Sequence, residues 1–303
     1  MCDEIDQAQN LELLNIEIGI ANRKPTMTFT GFCHFAECRR KIHEGMFCDA
    51  DCRDDFEYDE RKKKECGMSR GTIICLCDLT GIMAGPWLSA GYDAILIDPQ
   101  HIEKTNQERI RKWPDTVLTA ASALGDVIRK EEIVFVAGFP PCTDVAVSGA
   151  AHFEKKRNAD THFQAKAALI AEQCRMVGEI TGAPWFFENP VSVFSGIFGK
   201  PDFIFNPSDY GSYLPEHDVH PTYPDYIAPR DAYPKKTCLW TGGGFVMPDK
   251  LPVSVPDGYS TQYLKLGGKS ERVKNMRSAT PRGFAEAVFQ ANAPHLKALR
   301  EAA

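Results

Sequence analysis

The sequence predicts an α/β fold built on a parallel sheet and preceded by a small cysteine-organised module. Three observations carry this expectation. Short apolar runs at Ile73–Cys77, Ala94–Ile97, Ile133–Ala137 and Pro184–Phe187 alternate with helical patterns, as in a sheet with crossover helices. Each run stops at glycine, proline or acidic residues, where open α/β sheets bind their ligands. Ahead of them, Cys33, Cys38, Cys48 and Cys52 crowd into one short stretch.

Composition narrows the class. A chain of 303 residues suits one large domain or two modest ones. No apolar run approaches the roughly 20 residues of a membrane span, and no membrane partner is expected. The first residues, MCDEIDQAQN, lack the basic and apolar regions of a signal peptide, so a cytoplasmic location is expected. Eleven cysteines in that compartment point to metal ligands, a nucleophile or buried thiols rather than disulfides. The net charge of -6 does not mark a general nucleic-acid binder. Residues 1–66 hold 15 acidic and 10 basic side chains, so most of the acidity lies there. Lys265, Lys269, Arg272, Lys274, Arg277 and Arg282 form a basic stretch that suits phosphates or, equally, a solvated face.

In order, residues 3–22 read as a helix, with Leu11, Leu14, Ile18 and Ala21 at helical spacing. Four residues separate Cys33 from Cys38 and three separate Cys48 from Cys52. Thiolates so spaced can close a tetrahedral zinc site, and a segment this polar has little core without one. His34 and His43 are spare ligands. The charged run Asp59–Glu65 ends this unit, and a domain boundary falls near Gly67–Gly71.

From Thr72 the pattern is strand, glycine turn, helix, strand, acid. The first strand ends at Asp78, Gly81 and Gly85 supply the turn, Pro86-Trp87-Leu88 opens a helix and the second strand ends at Asp98. This is half of a nucleotide-binding βαβ unit, and Asp98 stands where a ribose diol would donate to it. A helix is expected over Thr116–Arg129, with Val117, Leu118, Ala121, Leu124 and Ile128 on one face. The third strand runs into AGFPPCTDVAVSGA, where Gly138 and Pro140-Pro141 stop it and leave Cys142 on the turn. A thiol there is placed to act as a nucleophile; buried packing is the alternative. Thr161–Glu179 reads as a long helix burying Leu169, Ile170, Cys174 and Val177. The fourth strand ends at Glu188-Asn189-Pro190. Beyond it, a proline- and tyrosine-rich segment to about residue 265 reads as a compact recognition lobe. There Lys235-Lys236-Thr237 suits a phosphate, Cys238-Leu239-Trp240 a strand, and His217 and His220 a solvated loop.

The ordered set DLTGIMAGPW, DPQH, GFPPCTDVAVSG, FFENP and RSATPRGFAEAVF resembles the cytosine-5 DNA methyltransferases, especially short phage and prophage forms, over residues 72–290. The resemblance implies a Rossmann-like S-adenosylmethionine-dependent sheet over residues 67–303, its recognition lobe at about 191–265. It implies Cys142 as nucleophile, with Glu188 holding the base and Asn189 fixing the strand end. It places Asp78, Gly81, Gly85, Asp98, Asp126 and Pro140 around S-adenosylmethionine. DNA containing cytosine is then the partner, with Lys235, Lys236, Arg272 and Arg277 as candidate contacts. The family's Gln-x-Arg-x-Arg stretch is missing; Arg272 or Arg277 is a candidate replacement. Residues 1–66 resemble the DksA/TraR-like zinc-finger proteins, which implies a structural zinc on Cys33, Cys38, Cys48 and Cys52 and a module that contacts protein or nucleic acid. Two other readings fit the same residues: a cytosine-modifying enzyme using a nucleotide or a modified donor, and a non-enzymatic zinc-finger regulator.

Overall fold

The computed structural model describes residues 29–35, 38–65, 69–107, 109–255 and 270–296. The expected helix over residues 3–22, together with Lys265, Lys269 and Gly67, lies outside these.

Residues 29–65 form a knuckle followed by a helix. An antiparallel bridge joins Phe32 to Lys41, and the Cys33 amide donates to the Arg40 carbonyl at 2.8 Å. Helix α1, Ala50–Glu65, starts just past Cys48, and the Asp49 carboxylate accepts from the Cys52 amide at 2.8 Å. That is helix capping by an aspartate at the position where four amides lack partners.

The remainder is a mixed α/β structure on an eight-stranded, mostly parallel sheet, compatible with a Rossmann-like fold. Strands β1 (Thr72–Leu76), β2 (Asp93–Ile97), β4 (Ile110–Trp113), β5 (Ile133–Gly138) and β6 (Trp185–Pro190) run parallel to one another. β3 (Thr105–Gln107) pairs antiparallel with β4, and β8 (Thr237–Gly242) pairs antiparallel with both β6 and β7 (Phe203–Phe205). The order is β3-β4-β2-β1-β5-β6-β8-β7. The chain reverses its direction of travel across the sheet between β1 and β5, and such a switch point opens a crevice at the carboxyl ends of those strands.

Side chains alternate across the sheet with the period of two that a strand dictates. Ile73, Cys75, Phe135 and Phe186 face one core with Trp87 of helix α2 (Gly85–Ser89). Ile74, Leu76, Val136 and Phe187 face the other core with Leu124 and Val127 of helix α3 (Ala121–Lys130). Helix α4 (Phe153–Ala159) follows the Cys142 turn, and helix α5 (Phe163–Thr181) joins the second core. After the short helix α6 (Phe194–Ile197) come α7 (Glu271–Ser278) and α8 (Arg282–Asn292), whose Phe284 and Val288 close the first core. Within it Trp87 stacks on Phe135 at 5.1 Å, and Phe205 stacks on Phe284 at 4.1 Å.

Several elements differ from expectation for reasons of packing. α3 begins at Ala121, because Val117–Ala120 form a turn; Leu118 and Ala121 are exposed while Val127 is buried instead. On α5 the buried stripe is Ala167, Ala171, Cys174 and Gly178, not Leu169, which is 55% exposed. Small residues face the sheet because the helix lies so close to it. A Cβ on Gly178 would fall inside the Trp185 indole. Gly178→Ala is therefore expected to lower stability by about 1–3 kcal/mol, the usual cost of overpacking a filled core. A shift of the urea midpoint at constant slope would show it; an unchanged midpoint would refute the tight contact.

The β3–β4 pair was not expected. Its residues, TNQ and IRKW, lack an apolar rhythm because β3 sits on the sheet edge. The stretch beyond Pro190 does not stand apart as a lobe among the described residues. Phe205, Tyr210 and Leu239 belong to the first core, and β8 inserts between β6 and β7. His220 is not solvated either: it is 2% exposed, and its Nδ1 accepts from the amides of Thr222 and Tyr223 at 3.2 and 3.0 Å. Burial pushes its pKa down to about 4, which keeps the ring neutral and able to accept.

Candidate functional site

The carboxyl ends of β1, β2, β5 and β6 gather most of the residues singled out in the sequence. At β1, Cys77 adopts a left-handed backbone with φ of 57°, turning the chain into the glycine loop. Asp78 is 3% exposed; its Oδ1 accepts from the amides of Thr80 and Gly81 at 2.9 and 2.8 Å and from the Thr80 hydroxyl at 3.0 Å. Its Oδ2 is buried and has no partner among the described residues. Burial raises the Asp78 carboxyl, and the nearby Asp98 raises it further. Gly81 is required by its φ of 69° and by the Leu96 side chain that a Cβ would strike. Gly85 has neither demand: nothing lies within 4 Å of the Cβ it lacks, so the backbone at the start of α2 is open to a ligand.

At β2, Asp98 is 6% exposed and accepts from the Gln100 amide at 2.8 Å. Burial is the main cause of its raised pKa. His101, buried beside it, is held below its usual pKa by desolvation, against the pull of Asp98. Helix α7 touches this loop through its Asn275 side chain, whose Nδ2 donates to the Gln100 Oε1 at 3.4 Å.

The ends of β5 and β6 are tied together. Asn189, 1% exposed, donates from Nδ2 to the Pro140 carbonyl at 2.9 Å. The two following loops also join: the Val147 amide donates to Val191 and the Val193 amide to Val145, both at 3.0 Å. Cys142 lies on this clamped turn, its carbonyl accepting from the amides of Val145 and Ala146. Its side chain is partly exposed. Burial raises the thiol above 9.0 and Glu188 raises it further, while Lys235 and Lys156 lower it. Glu188 has a buried Oε2 without a partner among the described residues; burial raises its carboxyl, and Lys235 opposes that rise. A narrow pocket beside Glu188 and Lys235 is lined also by Phe139, Thr237, Thr280 and Phe284.

Other expected contacts are placed differently. Asp126 is exposed on α3 and ion-paired with Arg129, so its carboxylate is engaged on the helix surface rather than in the strand-end cluster. Arg272 and Arg277 are exposed on α7. Lys236 flanks Cys238. Lys235 is not a free surface cation: its Nζ donates to the Arg277 carbonyl at 3.0 Å and its charge reaches Glu188 and Cys142. Lys156 was not singled out in the sequence. It donates to the Thr143 carbonyl and to the Asp144 carboxylate, each at 2.7 Å, and so braces the nucleophile turn. Its one signal is a place in the run Glu154–Arg157, which reads as an ordinary solvated helix face.

In the N-terminal module the ligand atoms of Cys33, Cys38, Cys48 and Cys52 all lie within 4.8 Å of one another. Cys48 Sγ is 3.4 Å from both Cys38 Sγ and Cys52 Sγ. Sulfurs around a tetrahedral zinc stand roughly 3.8 Å apart, given a zinc–sulfur bond of about 2.3 Å. The four thiols can therefore hold a metal ion such as zinc. His34 stands outside the set, its ring edge-on to Phe47.

No protein-family model and no curated protein matches this chain. Among the described residues, no helix is long and apolar enough to cross a membrane.

Proposed function

We propose that the protein transfers a methyl group from S-adenosylmethionine to carbon 5 of cytosine in DNA. The observation that carries the reading is the pairing of Cys142 and Glu188 at adjacent strand ends, clamped by the bond from Asn189 to the Pro140 carbonyl. A thiol and an acid close enough for their charges to interact, at the ends of neighbouring strands, suit addition to an electron-poor ring. The Cys142 thiolate adds to carbon 6 while Glu188 holds the ring edge and delivers a proton to nitrogen 3. Carbon 5 thereby becomes enamine-like. When bound, S-adenosylmethionine supplies the electrophilic methyl group. A base within a duplex reaches Cys142 only after leaving the stack.

The residues at β1 and β2 fit such a donor. The unpartnered Asp78 Oδ2 offers an acceptor to an ammonium group, the open side of Gly85 admits a ligand against backbone, and Asp98 suits two ribose hydroxyls. Asp98→Asn should weaken S-adenosylhomocysteine binding about tenfold, near the worth of one charge-assisted hydrogen bond. Isothermal calorimetry measures it, and equal affinities would remove Asp98 from the ribose site.

The four-cysteine module acts in this reading as a zinc-organised contact for protein or nucleic acid, as in DksA/TraR-like proteins. Nucleoside mass spectrometry of DNA from cells expressing the chain tests the activity. 5-Methylcytosine that depends on Cys142 supports it. Modification confined to the free nucleotide pool would move the substrate from DNA to nucleotides.

A further inference from the structure

We propose that Lys235 is the positioning cation of the Cys142–Glu188 pair: held by the Arg277 carbonyl of α7, its ammonium balances the single negative charge that the pair carries through the addition step. The inference rests on the reading of Cys142 as the attacking thiolate.

The charge balance explains why one cation must face both groups. Before addition, sulfur carries the negative charge and Glu188 is a neutral acid. As the sulfur–carbon 6 bond forms, the sulfur lone pair becomes that bond and the ring π pair moves toward nitrogen 3. Nitrogen 3 takes the Glu188 proton. Sulfur ends as a neutral thioether, Glu188 as a carboxylate and the ring as a neutral adduct. One negative charge has moved from sulfur to carboxylate without changing in amount. A cation near only one group would oppose half of that transfer.

The geometry places Lys235 beside Glu188, and its charge acts on Cys142 as well. β8 pairs with β6 so that Leu239 opposes Glu188 and Thr237 opposes Pro190. Lys235, two residues before Thr237, therefore lies just beyond the end of β6. It lines the pocket with Glu188, Phe139 and Thr237. Its Nζ donates to the Arg277 carbonyl at 3.0 Å, which ties the ammonium to α7. The charges facing Cys142 are Glu188 from β6, Lys235 from the segment before β8 and Lys156 from α4, and Lys156 is already neutralised by Asp144. Lys235 is also the charge that acts on Glu188. Arg272 and Arg277 are exposed on α7 and do not line the pocket.

The test needs neither DNA nor donor. Alkylation of Cys142 in the full chain by iodoacetamide, located by peptide mass spectrometry, is followed against pH, because only the thiolate reacts. In the wild-type chain burial and the Glu188 charge are expected to put the midpoint above that of a free thiol. Lys235→Met should raise it by about one pH unit, the low end of what a close opposite charge contributes. Lys235→Arg should restore it, and Lys156→Met should move it less. Lys235→Gln provides a second neutral variant should the methionine variant fail to fold, with circular dichroism as the check. Coincident profiles for wild type and the neutral variants would overturn the proposal, as would a larger shift from Lys156→Met. A shifted midpoint in a chain that methylates no nucleic acid would retain Lys235 as the partner of the pair and reject the methyltransferase reading, so the two failures are distinct.

Discussion

Cys142→Ser is expected to abolish methyl transfer, lowering the rate on the order of 10³-fold or more, as loss of a covalent nucleophile does elsewhere. Serine keeps the size of the side chain and its place on the turn. The turn itself is held by backbone bonds from Val145 and Ala146 and by Asn189, none of which uses the sulfur. The fold should therefore persist while the chemistry stops. A hydroxyl is far harder to ionise than a thiol, and the site adds burial and the Glu188 charge to that difficulty. Transfer of tritiated methyl to DNA, with thermal melts of both proteins, checks the expectation. Equal transfer by the serine variant would remove Cys142 from the chemistry and leave it a packing thiol.

Removal of metal from the N-terminal module should have the next largest effect. The knuckle around Phe32–Lys41 and the first turn of α1 are held by few apolar contacts: Cys33 is fully buried, whereas Cys38, Cys48 and Cys52 are only partly so. Four thiols so close have little reason to stay together without an ion. Structural zinc contributes roughly 10–16 kcal/mol to sites of this kind. One zinc per chain is expected by atomic absorption, and Cys48→Ser should lose it. Chelation should open the segment around Cys33, Cys38, Cys48 and Cys52 to protease while the sheet keeps its protection, because all four of the clustered thiols precede the first strand, Thr72–Leu76. Full-length protein without zinc, and a chelator without effect on proteolysis, would leave the cysteines as free thiols.

Much of the sheet was legible because its strands are locally unambiguous. β1, β2, β5 and β6 are short β-branched or aromatic runs, each stopped by a turn-favouring or acidic residue, and the structure places each within three residues of the expected bounds. Asp78, Asp98, Cys142 and Glu188 were legible for the same reason: each stands at or near a strand terminus, and a parallel sheet brings those termini together. The β3–β4 pair was not, since an edge strand with polar residues on both sides has no rhythm to read. Nor was the buried face of α5, where helix periodicity allows Leu169 or Ala167 inward and only the depth of the Trp185 side chain decides.

The sequence by itself determined the kind of chemistry this chain can offer. A thiol on a proline-bounded turn, acids at strand ends and four cysteines at ligand spacing are local facts, and local sterics are enough to place them. Only the tertiary structure decided which charges meet. Lys235 lies 93 positions beyond Cys142 and reaches it because β8 runs antiparallel into the sheet beside β6. Asp126 and Arg129, three residues apart, satisfy each other on a helix surface instead. Electrostatic energy depends on distance and burial, and neither quantity is written in the spacing of residues along the chain.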